Sequence, residues 1–296
     1  MNTPLMIPRG LDHVVHAVRD LPQASALYQR LGFQVSARNV HPWGTHNAIV
    51  QLPGFFIELL AVNEPDKLGG EGLAKHFGAF QQTFLHAREG LSMLVLSSLD
   101  ARRDAESFAQ TGIARSEALT FTRIGENALG APVNVGFTLA FAADPLSPET
   151  GFAICQHLTP DAFWSPAKQV HANGATRILG AVLVADNPTD HHIFLSSFSG
   201  VRDIHATSAG IDVKTPHGDI HILSPVAFSR QYGVEWRLDG EGACFGAVRV
   251  AVADIGALQS QLADAKIAFI AINQKLIVPP EAAMGATLIF EPETEL

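Results

Sequence analysis

Leu11-Asp-His13-Val-Val-His16-Ala-Val-Arg-Asp20-Leu21 reads as a β-strand running into a turn. It is rich in β-branched residues and about eight residues long, as a strand should be. Residues 22–31 follow, with Ala24, Leu27, Tyr28 and Leu31 at helical spacing. Pro22 suits a first helical turn and Gly32 suits a helix stop. Three more strands are expected at residues 33–39, 45–52 and 55–61. The last of these reads Phe55-Phe-Ile-Glu58-Leu-Leu-Ala61. The unit is βαβββ, with an imidazole on its first strand and a carboxylate on its last.

Outward from this stretch the same pattern recurs. An apolar strand ending in Asp occupies residues 13–20, 93–100, 179–186 and 247–254. Helix-like sequence follows each, at residues 22–31, 101–110, 189–199 and 255–263, and then β-rich sequence. Four βαβββ modules in two pairs is the simplest reading. Residues 69–90 read as a connecting helix, with Leu73, Phe77, Phe80 and Phe84 near helical spacing. Residues 158–174 carry turn formers. A boundary near Pro166 divides the chain into domains 1–166 and 167–296. Asp-Gly-Glu-Gly, ending at Gly242, is the expected break between modules three and four.

The 296 residues allow one large or two ordinary domains with ample core. Charged residues are 17% of the chain, against about 25% in an average globular protein, which argues against disorder. The net charge of −9 comes with no basic run, so nucleic acid is not expected as a partner. No apolar run approaches the ~20 residues of a spanning helix, and no signal pattern opens the chain. Cys155 and Cys244 form no disulfide framework and fit a reducing cytoplasm. Thirteen histidines hint at metal chemistry.

Strand alternation assigns faces. His13, Val15 and Ala17 share one face of the first strand. Val14, His16 and Val18 share the other, which packs on the helix, so His16 reads as a buried, hydrogen-bonded histidine. On the last strand Phe56, Glu58 and Leu60 share a face. Glu58 is then a carboxylate in apolar surroundings, and burying it without a partner is costly. A divalent cation held with a neutral imidazole removes that cost, as does an arginine partner or a place at the sheet edge.

The stretch resembles the vicinal oxygen chelate superfamily, which includes glyoxalase I, extradiol dioxygenases and fosfomycin resistance proteins. It is most similar to the glyoxalase-like domain proteins. The resemblance is good over roughly the first 160 residues and faint beyond. Phe152-x-x-Cys155-Gln156-His157-Leu-Thr-Pro160, Trp164 and His171-x-Asn-Gly-Ala175 resemble the same group. It implies an α+β fold in which the four modules pair into two cup-shaped sheet domains. It also implies a metal in the first cup, with His13 and Glu58 at the ligand positions. In the paired module the first-strand position is Met93, not a ligand. On the last strand Ala153, Cys155 and His157 should face the cup. His157 is taken as third ligand, with Gln156 and Cys155 as rivals. Two imidazoles and a carboxylate suit Fe(II), Mn(II) or Zn(II), and Ni stays open.

His46, in Trp43-Gly-Thr-His46-Asn47, is the candidate proton carrier, or else a loop-end histidine in water. Asn47 and Gln51 share a face that can line the cup with Val15, Phe56 and Leu60. Arg123 can hold an anionic substrate or lie on the surface. His191 and His192 point about 100° apart on a helix and make no chelate. In the second domain Leu179 and Ala247 occupy the first-strand positions, and His221 and Glu291 lack partners there. That domain is expected to carry no metal, and to cover the cup or form a homodimer surface. Three functions stay open for a small-molecule site: glyoxalase-like lyase, isomerase or hydrolase chemistry on a carbonyl-bearing molecule; Fe(II) extradiol-type dioxygenase chemistry; and non-catalytic binding, as in the bleomycin resistance members.

Overall fold

The recurring aspartate is a helix cap. Asp20, Asp100 and Asp254 sit in extended backbone and accept hydrogen bonds from the N–H groups of Gln23, Arg103 and Ala257. Each satisfies a donor that the first helical turn leaves open. In the third repeat Asp186 does not cap. Asn187 precedes a 3-10 turn, Pro188–His191, with no side-chain cap.

The structure, a computed structural model, describes residues 7–126, 131–237 and 242–293. Of the expected break at residues 239–242, residues 239–241 lie outside them. The first module is β1 (Leu11–Ala17), α1 (Leu21–Arg30), β2 (Asn39–Val40), β3 (Thr45–Leu52) and β4 (Phe55–Val62). After α2 (Ala79–Ala87), the second is β5 (Gly90–Ser97), α3 (Ala101–Thr111), β6 (Leu119–Glu126), β7 (Pro132–Ala142) and β8 (Gly151–His157). Short α4 (Pro160–Phe163) opens the connection to β9 (Ala175–Val184). Then come α5 (His192–Ser199), β10 (Ile204–Ala206), β11 (Gly210–Val213), β12 (Asp219–Leu223) and α6 (Pro225–Tyr232). The last module is β13 (Cys244–Val252), α7 (Ile255–Asp264), β14 (Ile270–Ile272), β15 (Lys275–Val278) and β16 (Thr287–Pro292). The strands form two eight-stranded sheets, ordered β2-β3-β4-β1-β5-β8-β7-β6 and β10-β11-β12-β9-β13-β16-β15-β14. The two orders correspond strand for strand. Each pair of modules joins through its first strands, β1 with β5 and β9 with β13, antiparallel.

The strand expected at residues 33–39 is confined to Asn39–Val40. The Ser36 side chain accepts from the Ile49 N–H while the Ser36 N–H donates to the Ile49 carbonyl, so a hydroxyl replaces a ladder partner. The helix expected across residues 69–90 is shorter and begins with a π-helical turn, Ala74–Gly78.

One apolar core lies between the sheets and includes Val14, Ile57 and Phe152 from the first and Ala181, Val248 and Phe290 from the second. Phe152 packs edge-on against Phe194 at 4.6 Å, and Phe33 meets Phe290 at 6.1 Å. His16 is fully buried at this seam, as its face predicts. Its Nδ1 meets the Tyr28 hydroxyl at 2.9 Å and its Nε2 meets the Met284 carbonyl at 3.0 Å. Gly90 and Gly285 approach so closely that a Cβ on Gly90 lies 2.8 Å from the Gly285 carbonyl oxygen. The opposite faces form the cups. The first holds Val15, Leu60, Met93 and Phe77, the last supplied by the π-helical turn. The second packs around Phe228 and Tyr232 of α6.

Candidate metal centre

Parallel pairing of β1 with β4 sets His13 against Phe56 and Val15 against Glu58. Both His13 and Glu58 therefore face the first cup, where they are buried. The His13 ring stacks on Phe56 at 4.3 Å, which fixes its plane. His13 Nε2 faces Glu58 Oε2 across 4.0 Å.

Asp12 should point behind the sheet by alternation, but the pairing with β5 is irregular there. Leu11 pairs with Leu96 and His13 with Val95, two residues against one. Such a bulge re-aims a side chain. The Asp12 carboxylate bridges two histidines, with Oδ2 2.6 Å from His13 Nδ1 and Oδ1 2.9 Å from His157 Nε2. Burial works to raise its pKa, but the two histidines more than offset that and hold it at about 2. An ionised Asp12 only accepts, so His13 carries a hydrogen on Nδ1 and His157 one on Nε2. In the neutral His13 ring, Nε2 is then a lone pair aimed at Glu58.

Burial pushes the Glu58 carboxyl above its usual range, and nearby His13, Asn47 and Arg123 offset this in part. Asn47 Nδ2 donates to Glu58 Oε1 at 2.6 Å, and Asn39 Nδ2 donates to Asn47 Oδ1 at 3.0 Å. Asn47 thus orients the carboxylate. His41 closes this network: its Nε2 lies 3.2 Å from Asn47 Nδ2, its Nδ1 2.8 Å from Thr45 Oγ1, and its ring stacks on Trp43. Burial, with Arg123 and His46 nearby, pushes His41 down to about 3, so it stays neutral.

A lone pair and a carboxylate oxygen facing each other, both oriented from behind, are a pair of donors in want of a cation. A metal-binding histidine typically gives its other N–H to a carboxylate, as His13 does to Asp12. The residues present therefore fit a divalent ion. His157 faces the cup too, and its buried Nδ1 has no partner among the described residues. Ligand atoms of Asp12, Cys155 and His157 lie within 4.8 Å of one another. Burial, and then the charges of Asp12 and Glu58, push the Cys155 thiol well up, away from thiolate. Gln156 points elsewhere: its amide accepts from the Ala101 N–H at the start of α3 and donates to the Leu99 carbonyl.

The remaining expected site residues divide. Phe56 and Asn47 line the inner cup beside Glu58, and Arg123 stands half-buried at its mouth. Val15 and Leu60 belong to the packed apolar floor. Gln51 faces the cup, but its amide donates to the Phe163 carbonyl and accepts from the Ser165 N–H, tying down the segment over the cup. On β3, His46 lies opposite Ala61 of β4. Ala48 and Val50 on the same strand face the core between the sheets, so His46 faces away from Glu58 and Asn47. The sequence reading missed Asp12 and His41. An acid beside His13 was the only signal for Asp12. For His41 it was the aromatic stretch ending in Trp43.

The second cup holds a different arrangement. Arg249 pairs with Glu291 through Nε at 2.5 Å and Nη2 at 3.2 Å, and its Nη1 lies 2.9 Å from His221 Nε2. His221 Nδ1 meets Asp212, and Lys275 meets Glu291 at 2.9 Å. His221 and Glu291 therefore do have partners. Gly180, opposite Asp219 and Arg249, takes the place expected of Leu179.

Two eight-stranded sheets of paired βαβββ modules, with an imidazole and a carboxylate facing across one cup, define a protein of the vicinal oxygen chelate fold. The chain belongs to the glyoxalase-like domain family, whose pattern it matches over residues 11–197, well over half its length. A search of curated proteins found no match. Solved structures share the fold. A hypothetical protein from Staphylococcus aureus superposes with a TM-score of 0.70 at 14% identity, covering 96% of this chain and 100% of that one. A mutant of 4-hydroxymandelate synthase from Streptomyces coelicolor gives 0.58 at 14%, covering 98% and 95%. The Mn(II)-bound glyoxalase from Novosphingobium aromaticivorans gives 0.57 at 13%, covering 98% and 84%. At such identities the likeness is one of fold. Among the described residues no helix is long and apolar enough to cross a membrane.

Proposed function

We propose that this chain is a divalent-metal-dependent enzyme acting on a small oxygenated, carbonyl-bearing molecule in the first cup, with glyoxalase-like lyase, isomerase or hydrolase chemistry. The observation that carries this is His13 Nε2 facing Glu58 Oε2 at 4.0 Å. Their outer atoms are held by Asp12 and Asn47. His13 and Glu58 would hold the ion, and His157, tied through Nε2 to the same Asp12, is the candidate third donor. The metal, when bound, acts as a Lewis acid toward the substrate oxygens.

The chain supplies the rest. Asp12 fixes the hydrogen on His13 Nδ1 and keeps Nε2 free. Asn47 keeps Glu58 Oε2 turned toward His13. Phe56, Phe137 and Phe163 form an apolar wall that suits a flat group and excludes water. A metal that keeps few protein ligands leaves positions for substrate.

Metal analysis of tag-free protein tests this reading. Wild type should carry about one divalent ion per chain in the first cup, and His13→Ala and Glu58→Gln should lose it. Wild type that binds no divalent ion, or variants that keep a full complement, would sink it. Turnover of dicarbonyls and hydroxy acids supports the lyase or isomerase branch, and Fe(II)- and oxygen-dependent turnover of catechols moves the chain to the dioxygenase branch. A ligand that emerges unchanged under every condition leaves a binding protein.

A further inference from the structure

Outside the aromatic wall lies a second cavity of about 510 Å³. It shares Ile49, Arg123 and Phe163 with the narrow inner cup, so the two cavities adjoin across these three residues. Its charged lining residues are Arg38, Arg123 and Lys168. No carboxylate joins them among the described lining residues. That is unexpected in a chain with 29 acidic and 20 basic side chains. None of the three cations makes an ion pair among the described residues, although the chain pairs many of its others, among them Arg9, Arg88 and Arg249.

Arg123 matters most. It sits half-buried where the two cavities meet, with no hydrogen-bond partner among the described residues. Burial works against its charge, and Glu58 is the group that favours it. A desolvated guanidinium without a partner is costly to keep. Arg38 and Lys168 are exposed at the outer cavity, where they add attraction that salt can screen.

We infer that the outer cavity is an anion subsite, and that the substrate is a small organic acid whose flat body passes the Phe56–Phe163 wall and whose carboxylate is held by Arg123. Arg38 and Lys168 draw the anion in. The oxygenated end of the same molecule then reaches His13 and Glu58. This rests on the first cup being the substrate site, but the anion subsite is testable without metal. The outer cavity is of a size that takes a small molecule, which the inner cup of about 50 Å³ alone is not.

Benzoate, phenyl phosphate and benzyl alcohol are titrated into metal-free protein by ligand-observed NMR. Benzoate should bind at least about tenfold more tightly than benzyl alcohol, because a charge-assisted pair to a partly buried Arg contributes that much. Arg123→Met should erase the difference and leave benzyl alcohol binding unchanged. Arg38→Gln and Lys168→Gln should weaken benzoate less, and their effect should shrink as salt rises. Equal binding of benzoate and benzyl alcohol by wild type, or no binding of benzoate at all, overturns the inference. So does an Arg123→Met variant that binds benzoate as wild type does, or that loses both ligands equally, since the latter marks a structural arginine. Tighter binding of phenyl phosphate than benzoate refutes the carboxylate assignment. A metal-free protein that behaves as expected while the wild type never takes up metal leaves the subsite standing and removes the catalytic reading.

Discussion

His16 should make the protein acid-sensitive through the seam between its two sheets. Burial pushes its pKa down to about 4, with the Met284 carbonyl and Glu89 offsetting part of that. The unfolded chain titrates near 6.5, so below that pH the unfolded state takes a proton that the folded state refuses. Stability attributable to His16 therefore falls as pH drops from about 6.5 to about 4, and levels off below. The gap of roughly 2.5 units corresponds to about 3 kcal/mol in all, of which about 2 kcal/mol is lost between about pH 7 and about pH 4.5. That is a large share of the ~5–15 kcal/mol that holds a typical fold. His16→Gln keeps a donor for the Met284 carbonyl and does not titrate. Urea unfolding of both proteins at the two pH values separates His16 from the carboxylates, which titrate equally in each. Wild type should lose about 2 kcal/mol more than the variant across this interval. An equal loss in both would refute the reasoning.

Other outcomes follow from the same contacts. Asp12→Asn should weaken metal binding by about 10- to 100-fold while the fold persists, measured by competition with a chromophoric chelator. Phe152→Ala should cost about 3–5 kcal/mol, and tryptophan emission and far-UV circular dichroism should still report one coincident transition, because both sheets share that core. Saturating metal at about 100 times its Kd should add about 3 kcal/mol to wild type in thermal melts and nothing to Glu58→Gln. Arg249→Met should destabilise by about 2 kcal/mol, since it leaves Glu291 with only Lys275 and His221 with only Asp212 in the second cup, and should leave the metal content unchanged.

The sequence by itself determined the modules. Local chemistry writes them: capping aspartates at 20, 100 and 254, β-branched strands, and period-2 alternation that separates Glu58 from Ile57. Those signals act within a few residues and need no knowledge of the partner strand. Face assignment along β1 and β4 followed from the same alternation, so His13, Phe56 and Glu58 were legible as cup residues. Alternation on β3 likewise turns His46 to the face opposite Asn47.

Only the tertiary structure decided what depends on register and on distant segments. Asp12 enters the cup through an extra residue in one strand, and a bulge belongs to the pairing of β1 with β5, not to either strand's sequence. Its bond to His157 joins residues 145 positions apart. Ser36 ended the strand expected at residues 33–39 because its hydroxyl meets Ile49 across the turn. The lack of a partner for Arg123 among the described residues, and the commitment of Glu291 to Arg249, are likewise matters of where side chains end. Local propensity fixes which way a residue faces, while its charge finds or fails to find a partner only when the sheets have closed.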